Sequence, residues 1–371
     1  VDHGLRDNSL AEATLTADRL SGLGINNHII AWPGSKPETA IQSAARRARY
    51  DLLDGWCRDH GVLHLLVAHH ADDQAETFVM RLQHGSGSDG LAAMAPVRAL
   101  RSCRLVRPLL DFPKQRLLAT LRARGVDWVE DPSNANPKYA RSAVRASLLQ
   151  SDADVFGIIQ ATRRFARTRR ALESQTSDWL ARHAVLDPAG YLALNLSALQ
   201  ETEEEIRLRV LSRAALAIGG KTYPVRIASL ERLARGLDAG QGATLGSARF
   251  TLSEGLVGVY REARNLPAPQ TLGSGKHYWD GRFLITVSPQ FERQAQALSV
   301  LPWGPEIDHE WPRDARPDWL RAVPGAARIG LPVIRCAGVL QVPKPGHDEN
   351  NGILVRFQPT MPMSGGGFTV A

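Results

Sequence analysis

Val62-Leu63-His64-Leu65-Leu66-Val67-Ala68 is apolar at all but one position, with no alternation of polar and apolar residues. Such a run fits a strand buried on both faces, the condition of a parallel sheet covered by helices on each side. His69-His70-Ala71-Asp72-Asp73-Gln74-Ala75-Glu76-Thr77 follows directly, and the spacing predicts a helix over 73–84 that stops near Gly85. Open α/β sheets carry their chemistry at such strand ends. One Asp at a helix start is explained by capping and by the helix dipole. The remaining residues are not: Asp72 and Glu76 are four apart and Asp73 and Glu76 three apart, so His70 and three acids can converge on one small volume.

The first 150 residues repeat this alternation. Ser9-Leu10-Ala11-Glu12 reads as a capping box opening a helix that stops at Gly22 or Gly24, and Asn27-His28-Ile29-Ile30-Ala31-Trp32 reads as a strand. Pro37 near a first turn begins a helix reaching Asp59, with Gly61 past its end. A strand at 104–106, a helix from Pro113 to Arg124 and a short strand at 126–129 continue the series. The pattern predicts an α/β fold with a doubly wound, mostly parallel sheet. Its first strand is expected to end in Val1-Asp2-His3, which implies a further strand upstream.

A chain of 371 residues allows two or three domains, each with its own core. Helical patterns dominate from about 152 to 265, with a long candidate helix at 153–185 and another from Glu203 to Ile218. Arg163, Arg164, Arg167, Arg169 and Arg170 crowd the long helix; a charged face is usually solvated surface, and beside a reactive site it also suits phosphate contact. After Pro267, short β-like runs such as Phe283-Leu284-Ile285-Thr286-Val287 and Gly352-Ile353-Leu354-Val355-Arg356-Phe357 predict a small β-rich domain. The boundaries expected are 1–150, 151–266 and 267–371.

The net charge of +7 suits an anionic partner, and only six of the 45 basic residues are lysines. Arginine makes bidentate phosphate contacts, although genome composition produces the same bias. Cys57, Cys103 and Cys336 are scattered, which argues against a disulfide framework and a structural zinc site and points to a reducing cytoplasm. No apolar run approaches a membrane span, and Val1-Asp2-His3-Gly4 does not read as a signal peptide.

Further segments gain meaning from their company. Gln42, Arg46 and Arg49 form one stripe of a helix whose other face is Ala45, Ala48, Leu52 and Trp56. Arg81 precedes the glycine-rich loop Gly85-Ser86-Gly87-Ser88-Asp89-Gly90, where a polyanion can approach the backbone. Arg107-Pro108-Leu109-Leu110 and Trp128-Val129-Glu130-Asp131-Pro132-Ser133-Asn134 sit near strand ends, and Arg141 and Arg145 are four apart on a following helix. Together with Val1-Asp2-His3-Gly4-Leu5-Arg6 and the block from Ala68 to Thr77, these segments in this order resemble the N-terminal catalytic domain of the tRNA(Ile)-lysidine synthetases. That family belongs to the PP-loop ATP pyrophosphatases, of adenine nucleotide α-hydrolase-like fold. The likeness covers roughly 1–150 well, and is looser over the helical middle and the β-rich end with Trp279-Asp280-Gly281-Arg282-Phe283.

The resemblance implies a two-step reaction on the wobble cytidine of a tRNA(Ile) with a CAU anticodon. The C2 oxygen is adenylated by ATP with loss of pyrophosphate, and the amine of free L-lysine then displaces AMP to give lysidine. It implies ATP and Mg2+ as cofactors, no membrane partner, and is compatible with a homodimer. By the same resemblance His70, Asp72, Asp73 and Glu76 are the catalytic candidates, with metal, substrate or proton-transfer roles left unapportioned, and Asp72 and Asp73 the metal candidates. His3, Gly4, Arg46 and Arg49 are candidates for the nucleotide. Arg81, Arg107, Asn134, Arg141, Arg145, Arg163, Arg164 and Arg167 are candidates for the tRNA, bound by the helical domain 151–266 as well as the catalytic one.

The family's phosphate-binding signature, Ser-Gly-Gly-x-Asp-Ser, does not occur in the 371 residues, and its expected place is upstream of Val1. Truncation, a start downstream of the true one, or a degenerate homologue would each account for this, and weak ATP binding is the expectation. Two rivals follow: a tRNA-binding remnant without catalysis, and a metal-dependent phosphoesterase using His3 and His70 with the acids.

Overall fold

The computed structural model describes the chain except residues 7, 40, 129–139, 151–154, 224, 290–297, 348–351 and 364–371. It divides into two compact units, Val1–Arg169 and Arg170–Gly366.

The first unit is α/β. Helices α1 (Ser9–Gly22) and α2 (Ile41–Asp59) precede strand β1 (His64–Leu66), α3 (Ala71–Gln83), a short α4 (Ser88–Leu91), β2 (Val97–Ala99), β3 (Arg104–Val106), α5 (Lys114–Ala123), α6 (Ala140–Gln150) and the start of α7 (Val155–His183). β1 runs parallel to β3 with Leu66 opposite Val106, and β2 runs antiparallel to β3, so the sheet among the described residues is three-stranded and mixed. The segment expected as a strand at 27–32 contributes a single parallel bridge, Asp2 to Ala31. The described part of the run at 126–129 is not a strand. Gly125 takes a left-handed conformation (φ 61°) and Val126 N–H bonds back to the Leu121 carbonyl, so these residues close α5 instead.

The second unit continues α7 and then builds a five-stranded antiparallel sheet from β4 (Ala184–Asp187), β5 (Tyr191–Asn195), β6 (Ala243–Leu245), β7 (Ala248–Ser253) and β8 (Leu256–Arg261), in the order β4-β5-β8-β7-β6. The stretch 151–266 is therefore not helical alone. β5 runs into a short α8 (Leu196–Gln200), and its Leu192 and Leu194 pack with Phe250, Val257 and Val259 against Leu211 and Ile218 of α9 (Glu204–Gly219) and Leu237 of α10 (Ile227–Asp238). β5 is built of Leu and Ala, whose local preference is helical; each buried leucine contributes about 1.5–3 kcal/mol, and this packing overrides the preference. α9 ends in contact with the β6–β7 turn, where a Cβ on Gly219 would lie 1.9 Å from the Gly246 carbonyl oxygen.

After Pro267 the described residues form two further antiparallel sheets with short helices between their strands, within the same compact unit as 170–266. β10 (Gly275–Trp279), β11 (Phe283–Val287) and β15 (Ile353–Phe357) form one antiparallel sheet. β9 (Gln270–Thr271), β12 (Leu298–Pro302), β13 (Pro332–Cys336) and β14 (Val339–Gln341) form another, in the order β14-β13-β12-β9. Asp280, in the turn between β10 and β11, takes the Arg261 guanidinium at 2.9 Å on each oxygen and the Arg282 Nε–H at 2.8 Å. Arg282 is fully buried and also donates to the Gly190 and Gly330 carbonyls; burial lowers its pKa to about 10. All three cysteines are free thiols. Among the described residues no helix is long and apolar enough to cross a membrane.

Candidate active site

The apolar run of β1 ends at a turn in which Val67 N–H still bonds the Val106 carbonyl at 2.9 Å, and His70 then caps α3. His70 N–H donates to Asp73 Oδ2 at 2.9 Å, so Asp73 ties the helix start from the inside. The other Asp73 oxygen accepts from Arg141 Nη2 at 2.7 Å. Glu76, one turn on and only 2% exposed, accepts Nε–H of both Arg141 and Arg145 at 2.6 Å. The helical spacing brings the acids together as expected, and the two arginines of α6 close over them.

Asp72 stands apart. It is 42% exposed, its Oδ2 accepts Lys114 N–H at 2.7 Å from α5, and His70 Nδ1 lies 3.4 Å away. The contact with His70, reinforced by the Lys114 amide, holds its carboxyl near pKa 2. His69 is driven the other way: burial first, then the Arg107 charge, lower its pKa to about 4, which keeps the ring neutral. The hydrogen bond to Glu76 raises the pKa of Arg145 and so favours the charged guanidinium.

Mg2+ takes one or two carboxylates and completes its shell with water and phosphate oxygens. Asp72, half-exposed, fits that demand. Both oxygens of Asp73 are engaged by His70 and Arg141, which leaves it a poorer ligand. Among the described residues no group of three or more His, Cys, Asp or Glu is arranged to hold a metal ion.

The nucleotide candidates form a second group. His3 accepts from Arg49 Nε at 3.1 Å and packs edge-on to Trp32, Gly4 turns at φ 58° with its N–H on Asp2 Oδ1, and Arg46 lies over the Tyr50 ring. The Arg46 charge is also among those that hold the His69 pKa down. The tRNA candidates scatter. Arg81 donates to the Gly90 and Ala93 carbonyls, Arg107 is buried with Nη1 on the Ala95 carbonyl, and Arg141 and Arg145 are on the acids. Arg163 pairs with Asp111, Arg164 and Arg167 are exposed, and Asn134 lies outside the described residues. Sequence reasoning missed Gln74, whose amide exchanges two hydrogen bonds with the Met94 backbone and fixes the loop before β2 to α3; its only signal was a polar residue on the helix's inner face.

The PP-loop domain, an ATP-binding family, matches residues 1–152, which include the whole of this cluster. A tRNA(Ile)-lysidine synthase from Methylobacterium nodulans is 41% identical over 276 residues, covering 71% of this chain and 81% of the relative. The chain belongs to the tRNA(Ile)-lysidine synthase family. Another tRNA(Ile)-lysidine synthase, from Ruegeria pomeroyi, is 34% identical over 85% of this chain and 75% of its own length. Among solved structures, the U34-tRNA thiolase NcsA from Methanococcus maripaludis is similar at TM-score 0.38 and 14% identity, over 45% of this chain and 59% of that one, a likeness that carries no argument. Membership of the tRNA(Ile)-lysidine synthase family gives the α/β unit a nucleotide-binding character and the molecule a tRNA-related role.

Proposed function

We propose that the chain acts as an ATP-dependent ligase that joins free lysine to C2 of the wobble cytidine of tRNA(Ile) with a CAU anticodon, through an adenylated cytidine. The observation that carries this reading is the cluster of buried Glu76 with partly buried Asp73, closed by Arg141 and Arg145 at the ends of parallel strands, in a chain 41% identical to a tRNA(Ile)-lysidine synthase.

His3, Gly4, Arg46 and Arg49 hold the nucleotide, with Arg49 and His3 fixing each other by hydrogen bond. Arg141 and Arg145 are anchored through Nε on Glu76, and Arg141 Nη2 is taken by Asp73; their remaining N–H groups meet the charge that builds on the phosphoryl group and on the tRNA backbone. Mg2+ neutralises phosphate charge when bound, and Asp72 is the residue to hold it. His70 orients Asp72 from beside it. Asp73, acidic and only partly shielded, attracts the lysine ammonium toward the activated base, where the second step releases AMP as the C–N bond forms. Arg81 and Arg107 support the site from within, and Arg163, Arg164 and Arg167, with Asn134, contact the tRNA.

The test is incubation with unmodified tRNA(Ile), ATP, Mg2+ and isotopically labelled lysine, with nucleoside mass spectrometry. Lysidine formation supports the reading. Tight tRNA binding without lysidine or AMP release refutes it in favour of a binding remnant.

A further inference from the structure

Cys57 and Cys103, far apart in the chain, are the two cysteines of the first unit, and both are buried, at 2% and 6% exposure. Backbone pairing brings them to one place. Cys57 lies in the last turn of α2, where its carbonyl accepts Val62 N–H at 2.8 Å. The Leu63 carbonyl accepts Arg104 N–H at 2.8 Å, and Cys103 immediately precedes that arginine at the start of β3. Asp54, one turn before Cys57 on the same helical face, completes the arrangement. Its Oδ1 accepts Ser102 N–H at 2.9 Å and the Cys103 S–H at 3.5 Å, and the Cys103 and Cys57 thiols are hydrogen-bonded to each other.

Two thiols in contact beside a carboxylate serve none of the roles assigned to the candidate active site. Burial, then Cys57 and the Asp54 charge, push the Cys103 thiol up to about 12, so this sulfur keeps its proton and does not itself react first with an oxidant. Cys57 is the sulfur nearer a helix end, and the last turn of a helix opens locally without global unfolding, which admits a molecule scarcely larger than water. Once Cys57 is oxidised the roles complement each other: Cys103 is held against it, and the acceptor of the Cys103 proton is already in place.

We propose that Cys57 and Cys103 are a reversible redox pair, closed to a disulfide by hydrogen peroxide, with Asp54 relaying the proton. The Cys57 sulfur, its proton lost, attacks one peroxide oxygen. The O–O bond breaks, the departing hydroxide takes up the proton as water, and Cys57 becomes a sulfenic acid. The Cys103 sulfur then attacks the Cys57 sulfur, forming the S–S bond and breaking the S–O bond, while the Cys103 proton passes through Asp54 to the departing hydroxide as a second water. Two thiols thus lose two electrons and two protons, and one peroxide becomes two waters. A dithiol reductant reverses the reaction. The bond ties the end of α2, the helix of Arg46 and Arg49, to the start of β3, the strand that leads into Arg107.

The full chain is treated with hydrogen peroxide, blocked with a thiol reagent at intervals and mapped by non-reducing peptide mass spectrometry, with the half-buried Cys336 as internal control. A Cys57–Cys103 linked peptide that dithiothreitol removes is expected. The oxidised first unit is expected to melt about 5–10 °C higher, because the bond closes a long loop, and to exchange amide hydrogens more slowly over 55–63. Asp54→Asn keeps an acceptor for the Ser102 amide but is a poor base. It is expected to slow closure about tenfold or more and to leave Cys336 oxidation unchanged. Sulfinic acid at Cys57 without the linked peptide, a Cys57 bridge only to a second copy of the chain, or closure at the wild-type rate in Asp54→Asn overturns the proposal. Where Asp54→Asn does not fold, the linked peptide in the wild-type chain decides.

Discussion

Replacing Glu76 with glutamine tests whether one buried carboxylate holds the two arginines of α6. Glu76 is 2% exposed, while Arg141 and Arg145 are 37% and 33% exposed. A hydrogen bond to a charged group contributes about 1.5–3 kcal/mol, so two in a dry setting would amount to roughly 3–6 kcal/mol. The part-exposed guanidiniums regain water when the negative charge is removed, which reduces the loss to about 2 kcal/mol. For a unit of this size that corresponds to a fall in Tm of roughly 4–8 °C. The reverse perturbation is expected to be worse: Arg141→Met with Arg145→Met strands a buried carboxylate, at a cost of about 3–5 kcal/mol. Adding Glu76→Gln to that double variant should restore part of the loss, since the stranded charge is gone. Pulsed hydrogen exchange with peptide-level mass spectrometry across a urea series separates the transition of Val1–Arg169 from that of the second unit. A double arginine variant as stable as Glu76→Gln, or no recovery in the triple variant, refutes the reasoning.

His69 has a native pKa near 4 against an ordinary 6.5, so the unfolded chain takes up a proton between those values that the native chain does not, and stability falls as pH drops from about 6.5 to about 4. His69→Gln is expected to flatten the pH dependence of the urea midpoint in that window; an unchanged slope contradicts the assignment. Asp280→Asn leaves two buried guanidiniums without their shared carboxylate, and a drop in the second unit's Tm on the order of 10 °C is expected in calorimetry. A change within error would mean that the pair is compensated elsewhere. Arg164→Gln with Arg167→Gln, both exposed, is expected to lower tRNA affinity and to reduce the salt dependence of binding by about one unit of slope per lost contact. An identical salt slope removes them from the tRNA surface.

Periodicity reads what is local. α1, α3, α7 and β3 lie where spacing, caps and apolar runs put them, and the convergence of Asp73 and Glu76 follows from helix geometry alone. The strands β4 to β8 escaped because residues such as Leu192, Ala193 and Leu194 take their conformation from packing against α9 and α10 rather than from their own preference. Arginine was the least readable residue. In sequence, Arg81, Arg107 and Arg145 look alike. In the fold the first secures backbone carbonyls, the second is buried without a carboxylate partner among the described residues and the third clamps Glu76, because partners 9, 12 and 69 positions away in the chain decide the roles.

The Asp280 turn has a consequence for how the second unit can be divided. One aspartate answers an arginine at the end of β8 and another at the start of β11, and the latter also reaches the backbone beside β5. A cut in the segment after Arg261 would separate a cation from the anion that neutralises it, exposing an uncompensated charge on each fragment. The sheets that hold β8 and β11 are therefore expected to unfold together.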